Sequence, residues 1–98
     1  MLTNNLLFVD DERKPTTSLW RVAKTYEEAI SILAEGEIEV LSLDHDLGEG
    51  KSGYDVAKWI VEHNVWPRWI NCHSMNPVGK ANIRQLLKRY APDTTEVM

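Results

Sequence analysis

Three short apolar runs of the sequence each end in side chains that could carry acid–base or metal chemistry. The polar ends are Asp10-Asp11-Glu12, Asp44-His45-Asp46 and His73-Ser74-Met75-Asn76. Asp and His are poor strand residues and are expensive to bury without a partner. One such cluster would indicate only a polar loop, since Asp and Asn are common after strands. Three clusters together indicate a site.

The carboxylates in these clusters are predicted to bind a cation. Clustered carboxylates repel one another, and a shared proton or a bound cation relieves the repulsion. Oxygen ligands on loops suit a hard ion, so Mg²⁺ or Mn²⁺ is the expected cofactor, held together with water and a substrate phosphate. The metal candidates are Asp10, Asp11 and Asp44, with Asp46 as a fourth, whereas Glu12 is expected to have no such role.

Two histidines of the clusters, His45 and His73, are candidates for catalysis. Each could be a metal ligand, an acid–base group or a hydrogen-bonded loop residue, and a single histidine is most often the last. Two on the same predicted rim favour acid–base work, because histidine titrates near neutrality. His63, near the end of a predicted helix, is interpreted as a partner of the helix dipole.

A possible phosphate cradle opens the last predicted helix, at Asn76-Pro77-Val78-Gly79-Lys80. Free backbone N–H groups, a flexible glycine and a lysine could hold phosphate there, with Ser74, Asn76 and Lys80 as contacts. The segment matches neither the Walker nor the dinucleotide glycine pattern. An ordinary Asn-Pro helix cap with a solvated lysine is an equal alternative.

The elements that must position these side chains alternate between strand and helix, which predicts an α/β fold with a mainly parallel sheet. Between Asp11 and Trp20 there is little room for the crossover helix of a parallel pair, so a loop is expected there, or a different pairing. The tail could add an edge strand at 95–97 or fray. In open parallel sheets ligands bind at the carboxyl ends of the strands, where the three clusters would meet. Strands are predicted at 6–9, 19–24, 38–43 and 69–72, and helices after the caps Thr25, Ser52 and Asn76.

Composition restricts the class of protein. The 98 residues suit one domain, 1–98, and no apolar run approaches the roughly 20 residues that cross a bilayer. The net charge of -4 argues against broad binding to duplex nucleic acid, so a cation would have to offset the acidic groups if the ligand carries phosphate. Cys72 is the single cysteine, which excludes an internal disulfide and favours a reducing, cytoplasmic setting.

Parts of the sequence resemble receiver domains of two-component response regulators. Leu6 to Glu12 is similar to their first strand and acidic pair, Ser42-Leu43-Asp44 to their phospho-acceptor strand, and Ser52 to Val56 to the glycine step into their third helix. Ser74 stands where those domains carry Ser or Thr. The resemblance implies that Asp10 and Asp11 hold Mg²⁺ with Asp44, and that Asp44 accepts phosphate.

Other features depart from ordinary receivers. The first helix is missing, and no lysine follows Lys88. The strings from Asp44 to Gly48 and from His73 to Gly79, with Val9 to Arg13 and Pro15, resemble a receiver-derived family proposed to process cyclic phosphates. This resemblance runs from about Leu6 to Leu87. It implies a receiver-like, flavodoxin-like sheet of four to five strands with helices on the faces and the first crossover helix lost.

Three functions follow from these readings. The preferred one is a Mg²⁺- or Mn²⁺-dependent phosphoesterase acting on a cyclic nucleotide or an RNA 2′,3′-cyclic end, with Asp44, His45 and His73 catalytic. The second is a non-enzymatic receiver that is phosphorylated on Asp44. The third is a module that binds a cyclic nucleotide or phosphorylated end without cleaving it. The two histidines favour hydrolysis, and a phosphate-containing small molecule or RNA end is the expected partner, without a membrane.

Overall fold

A parallel five-stranded sheet and three helices make up the structure, a computed structural model that describes residues 5–48 and 50–98. The elements are β1 (Leu6–Val9), β2 (Arg21–Ala23), α1 (Tyr26–Leu33), β3 (Val40–Leu43), α2 (Gly53–His63), β4 (Trp69–Cys72), α3 (Pro77–Tyr90) and β5 (Glu96–Val97). The predicted α/β fold is thus confirmed, and the tail forms an edge strand. None of the helices within the described ranges is long and apolar enough to cross a membrane.

The strand order, β2-β1-β3-β4-β5, brings the polar clusters to one edge of the sheet. Val9 pairs with Leu43, and Leu43 pairs with Cys72, so three neighbouring strands end level with one another. The ladder continues one residue further, because Asp44 N–H donates to Val9 O at 2.9 Å and His73 N–H donates to Leu43 O at 3.1 Å. The backbone hydrogen bonds therefore hold the first residue of each cluster in register.

The hydrophobic core lies on one face of the sheet. Alternate strand residues, Leu7 and Val9 in β1 for example, are fully buried and share a single core with the helices, whereas Leu6 and Phe8 between them are half-buried. The all-apolar β1 run suggested a strand covered on both faces. In the described residues the three helices instead pack along the face that carries the following core residues: Leu7, Val9, Leu41, Leu43, Ile70 and Cys72.

The connection between β1 and β2 explains this one-sided arrangement. Residues 10–20 form a loop without a helix, yet β1 and β2 pair in parallel, with Leu7 opposite Arg21. Trp20 lies edge-on to Phe8, with ring centroids 6.0 Å apart, on the face that has no helix. The predicted loss of the first crossover helix is confirmed. The strand itself is shorter than the expected 19–24, because only 21–23 continue the ladder.

The predicted caps start all three helices. Thr25 Oγ1 accepts from Glu28 N–H, Ser52 and Asp55 form a reciprocal capping box, and Asn76 Oδ1 accepts from Gly79 N–H. One detail differs, since the Glu28 carboxylate accepts from Lys24 N–H instead of the N-cap N–H. The loop predicted over 48–53 gives its last residue to α2, and Glu49 within it lies outside the described residues.

Gly53, the first residue of α2, brings that helix directly against the second polar cluster. Its N–H donates to His45 O at 2.7 Å, and a Cβ built on it would overlap the carbonyl group of Asp44. The contact is with backbone, which cannot rotate away. Only glycine therefore allows α2 to start this close to Asp44 and His45.

We expect Gly53→Ala to lower the free energy of unfolding by about 3 kcal/mol, because the helix or the Asp44 backbone must move. Gly36→Ala is the matched control, since Gly36 has a φ of 79° but nothing within 4 Å of its added Cβ. Strain alone should cost that variant about 1 kcal/mol. Urea unfolding of both variants measures the difference, and equal losses would contradict a steric role for Gly53.

Candidate functional site

Asp10 is the central side chain of the site, and it is 1% exposed at the end of β1. Its Oδ1 accepts from the N–H groups of Glu12 and Arg13, both at 2.9 Å, and its Oδ2 faces His73 Nε2 at 2.9 Å. Burial alone would raise the pKa of this carboxyl. The hydrogen bonds from Arg13, Glu12 and His73, with the charge of His73, together hold its pKa below the ordinary value of 3.8. Asp10 is therefore held as a carboxylate.

His73 is oriented by contacts at both nitrogens and on its ring face. Nδ1 lies 2.7 Å from Ser42 Oγ, Nε2 lies 2.9 Å from Asp10 Oδ2, and the ring stacks on Phe8 with centroids 4.5 Å apart. A carboxylate can only accept, so Nε2 carries the proton in this arrangement. Ser42, whose hydroxyl both donates and accepts, can serve either protonation state of Nδ1.

Asp44 completes a three-residue group with Asp10 and His73. Asp44 is 4% exposed, and within the described residues its Oδ1 is buried with no hydrogen-bond partner. One ligand atom from each of the three residues lies within 4.8 Å of the other two. A buried carboxylate oxygen without a donor is costly, and a cation would relieve both that cost and the repulsion from Asp10. The residues therefore fit a divalent ion.

A cleft of about 420 Å³ opens above this group, and we call it the acidic cleft. Asp11 and Asp46, the other two predicted metal ligands, line it but are not members of the buried group. Arg13 also lines it, with Nη1 donating to His73 O at 3.1 Å and Nε 3.9 Å from Asp10 Oδ2. The cleft thus offers carboxylates for a cation and one guanidinium for an anion. Its walls are Asp10, Asp11, Glu12, Arg13, Asp44, Asp46, Gly48 and Met75.

His45 lies apart from the buried group. Its Nδ1 is 3.0 Å from Asp46 Oδ1, and its ring packs against the first turn of α3, where a Cβ at Gly79 would overlap it. The ring lines a different cleft, between α2 and α3. The structure therefore brings His73, but not His45, to Asp10 and Asp44.

The three predicted phosphate contacts have local roles in the structure. Ser74 Oγ accepts from Asn76 N–H at 3.0 Å, and Asn76 Oδ1 accepts from Gly79 N–H at 3.0 Å, so both help to cap α3. Lys80 is half-buried instead of solvated, and its charge opposes the rise that burial causes in the pKa of Cys72. Their contact with phosphate stays a prediction.

Sequence reasoning gave no role in the site to Ser42, Arg13 or Phe8. A signal existed for Ser42, because it is the one polar residue in the apolar run of β3. Arg13 follows the acidic triplet directly and was attributed to a loop. The packing of Phe8 on His73 had no signal, since the two residues are distant in sequence and meet only through the strand order.

We expect Asp10→Asn to remove part of the acid sensitivity of the fold. A carboxyl whose pKa is lowered by folding contributes stability above its unfolded pKa, near 3.8, and loses it as the pH falls through the lower folded value. The difference in free energy of unfolding between wild type and Asp10→Asn should therefore narrow as the pH falls from about 6 to about 3. Urea unfolding at several pH values measures it. The exposed Asp93→Asn serves as control, and a constant difference would contradict the assignment.

Comparison with known proteins places this geometry in a family. The model of the cyclic-phosphate processing receiver domain matches residues 5–89. Comparison with curated proteins and with solved structures gave no match. The matched range includes all three polar clusters, the sheet through β4 and nearly all of α3. The chain thus belongs to the family of cyclic-phosphate processing receiver domains.

Proposed function

We propose that this receiver domain is a metal-dependent phosphoesterase that hydrolyses a cyclic phosphate. The observation that carries the proposal is the buried, unpartnered Oδ1 of Asp44 beside Asp10 and His73. A fold does not retain such an oxygen for stability, because an uncompensated buried carboxylate destabilises it. Groups of this kind are found at functional sites.

Asp10, Asp44 and His73 would hold the ion, with Asp11 and Asp46 facing the same cleft. Mg²⁺ or Mn²⁺ supplies Lewis-acid polarisation of the phosphate when bound. Two carboxylates with one imidazole favour Mn²⁺ over Mg²⁺, which prefers oxygen ligands. Ligation by His73 Nε2 requires its proton to move to Nδ1. Ser42 Oγ, at 2.7 Å, then accepts where it donated before.

His45 would exchange the proton in the hydrolysis. Donation of Nδ1–H to Asp46 leaves the lone pair of the neutral ring on Nε2. Water attacks phosphorus, a new P–O bond forms, and the bond from phosphorus to one ring oxygen breaks. His45 accepts a proton from the water and returns one to the leaving oxygen, so that the product is a phosphate monoester with a free hydroxyl. Arg13 at the cleft wall offers positive charge to the phosphate oxygens.

We expect Mn²⁺ to stabilise the wild type and to lose that effect in Asp44→Asn. At a hundredfold excess over its Kd, an ion that binds only the folded state adds about 2.7 kcal/mol, which is about 10 °C in Tm for a small domain. The metal-free Asp44→Asn variant should be more stable than the metal-free wild type, because the unpaired buried charge is gone. Thermal unfolding with and without Mn²⁺ or Mg²⁺ measures both effects. Asp93→Asn should respond like wild type, and a wild-type Tm unmoved by either ion would contradict the metal site.

We expect turnover of cyclic phosphates to depend on the ion and on both site histidines. His45→Ala should lower kcat by roughly 10²- to 10⁴-fold at any metal concentration. His73→Ala should lower activity in a way that excess Mn²⁺ partly restores, whereas loss that no metal restores would assign it the acid–base role predicted from sequence. Product release from 2′,3′-cyclic nucleotides, 3′,5′-cyclic nucleotides and glycerol 1,2-cyclic phosphate is measured by chromatography.

His63→Ala is the matched control, since His63 is exposed at the end of α2 and stacks on Trp59. It should retain wild-type activity. No turnover on the whole panel, with His73→Ala equal to wild type, would contradict the enzyme. Calorimetric binding without product would then favour a binding module. A labile phosphate mass on Asp44 after treatment with a small-molecule phosphodonor would favour a signalling receiver.

A further inference from the structure

A second cleft, of about 640 Å³, lies between α2 and α3, and we call it the helix cleft. Its volume is in the range of small-molecule sites. His45 lies at one end of it, and the two helices supply side chains that are aromatic or carry amide and guanidinium groups. These are Tyr54, Asn82, Gln85, Arg89 and Tyr90.

The helix cleft is adjacent to the acidic cleft through one pair of residues. His45 lines the helix cleft, Asp46 lines the acidic cleft, and the two side chains are joined by the 3.0 Å contact between Nδ1 and Oδ1. Gly53 and Gly79 hold this pair in place, because they let α2 and α3 pack directly on Asp44 and on the His45 ring. A ligand with its phosphate in the acidic cleft would therefore pass His45 to enter the helix cleft.

The amide groups of the helix cleft suit a flat ligand with polar edges. Asn82 and Gln85 are three residues apart on α3, so they lie on the same side of the helix. Each amide offers donors and an acceptor, which is what the edges of nucleobases require. In the described part of the chain, no hydrogen bond engages either side-chain amide.

The aromatic groups complete this chemistry. Tyr54 packs against the core with part of its ring exposed, and Tyr90 is 51% exposed. Stacking on such rings accepts any base. The Arg89 guanidinium lies 5.5 Å from the Tyr90 ring centroid, and the Asp55 carboxylate in the same cleft offsets its charge. The helix cleft therefore favours a neutral ring system over a second phosphate.

We propose, resting on the function proposed above, that the substrates are nucleoside cyclic phosphates and that the helix cleft binds their base. The cyclic phosphate lies in the acidic cleft, and the ribose passes His45. Asn82 and Gln85 hydrogen-bond to the base edge, and the tyrosine rings contact its face.

A nuclear magnetic resonance titration with phosphate-free nucleosides tests the cleft without any need for turnover. Adenosine, guanosine, cytidine and uridine are added separately to the ¹⁵N-labelled full chain. At least one should shift the side-chain NH₂ signals of Asn82 and Gln85 saturably, while the amides of Asp10 and Asp44 move little. Shifts confined to other parts of the protein, or none up to the solubility limit, would overturn the proposal.

Variants separate this inference from the proposed function. Asn82→Ala and Gln85→Ala should each weaken binding of a 2′,3′-cyclic nucleotide by about fivefold to twentyfold, and should leave the Kd for Mn²⁺ and activity on glycerol 1,2-cyclic phosphate unchanged. Lys88→Ala, an exposed change on the same helix outside the cleft, should behave as wild type. If nucleotide and base-free substrates are bound and turned over equally, with no effect of the α3 variants, the base site fails and the phosphoesterase stands. If nucleosides bind as expected but no cyclic phosphate is opened, the cleft stands and the phosphoesterase fails.

Discussion

The buried carboxylate of Asp10 is the interaction on which both the fold and the site depend. Through Oδ1 it holds the backbone of Glu12 and Arg13, which begin the loop that replaces a crossover helix. Through Oδ2 it reaches His73, two strands away. A charged group with 1% exposure is tolerated only because donors surround it, and the same donors keep its pKa low. Stability and reactivity thus share one side chain.

Close packing at two glycines divides the rim into two compartments. At Gly53 helix α2 contacts the backbone of Asp44, and at Gly79 helix α3 contacts the ring of His45. His45 is thereby turned towards the helices while Asp44 stays buried with Asp10 and His73. Two neighbouring residues of one loop consequently serve different clefts. This division is the basis for assigning cation binding to one histidine and proton exchange to the other.

The loss of the first crossover helix shapes the molecule beyond the site. Without that helix, β1 is buried at alternate residues, and Phe8 is available to stack on His73. Trp20 and Phe8 remain on the same open face. The loop of residues 10–20 instead places Arg13 against the acidic cleft. A shorter connection has thus exchanged core area for a guanidinium and an aromatic support beside the carboxylates.

The sequence by itself determined the local features of this protein. The apolar runs at 6–9 and 69–72, and the caps at Thr25, Ser52 and Asn76, could be read directly because strand period and capping depend on neighbours in the chain. Asp10, Asp44 and His73 could be placed on one rim because parallel strands end at the same edge. Only the tertiary structure decided which of them meet. The separation of His45, the bond from Ser42 to His73 and the cleft between α2 and α3 arise from side chains far apart in sequence. Their contacts follow from strand order and from helix packing at two glycines, and no local pattern encodes either.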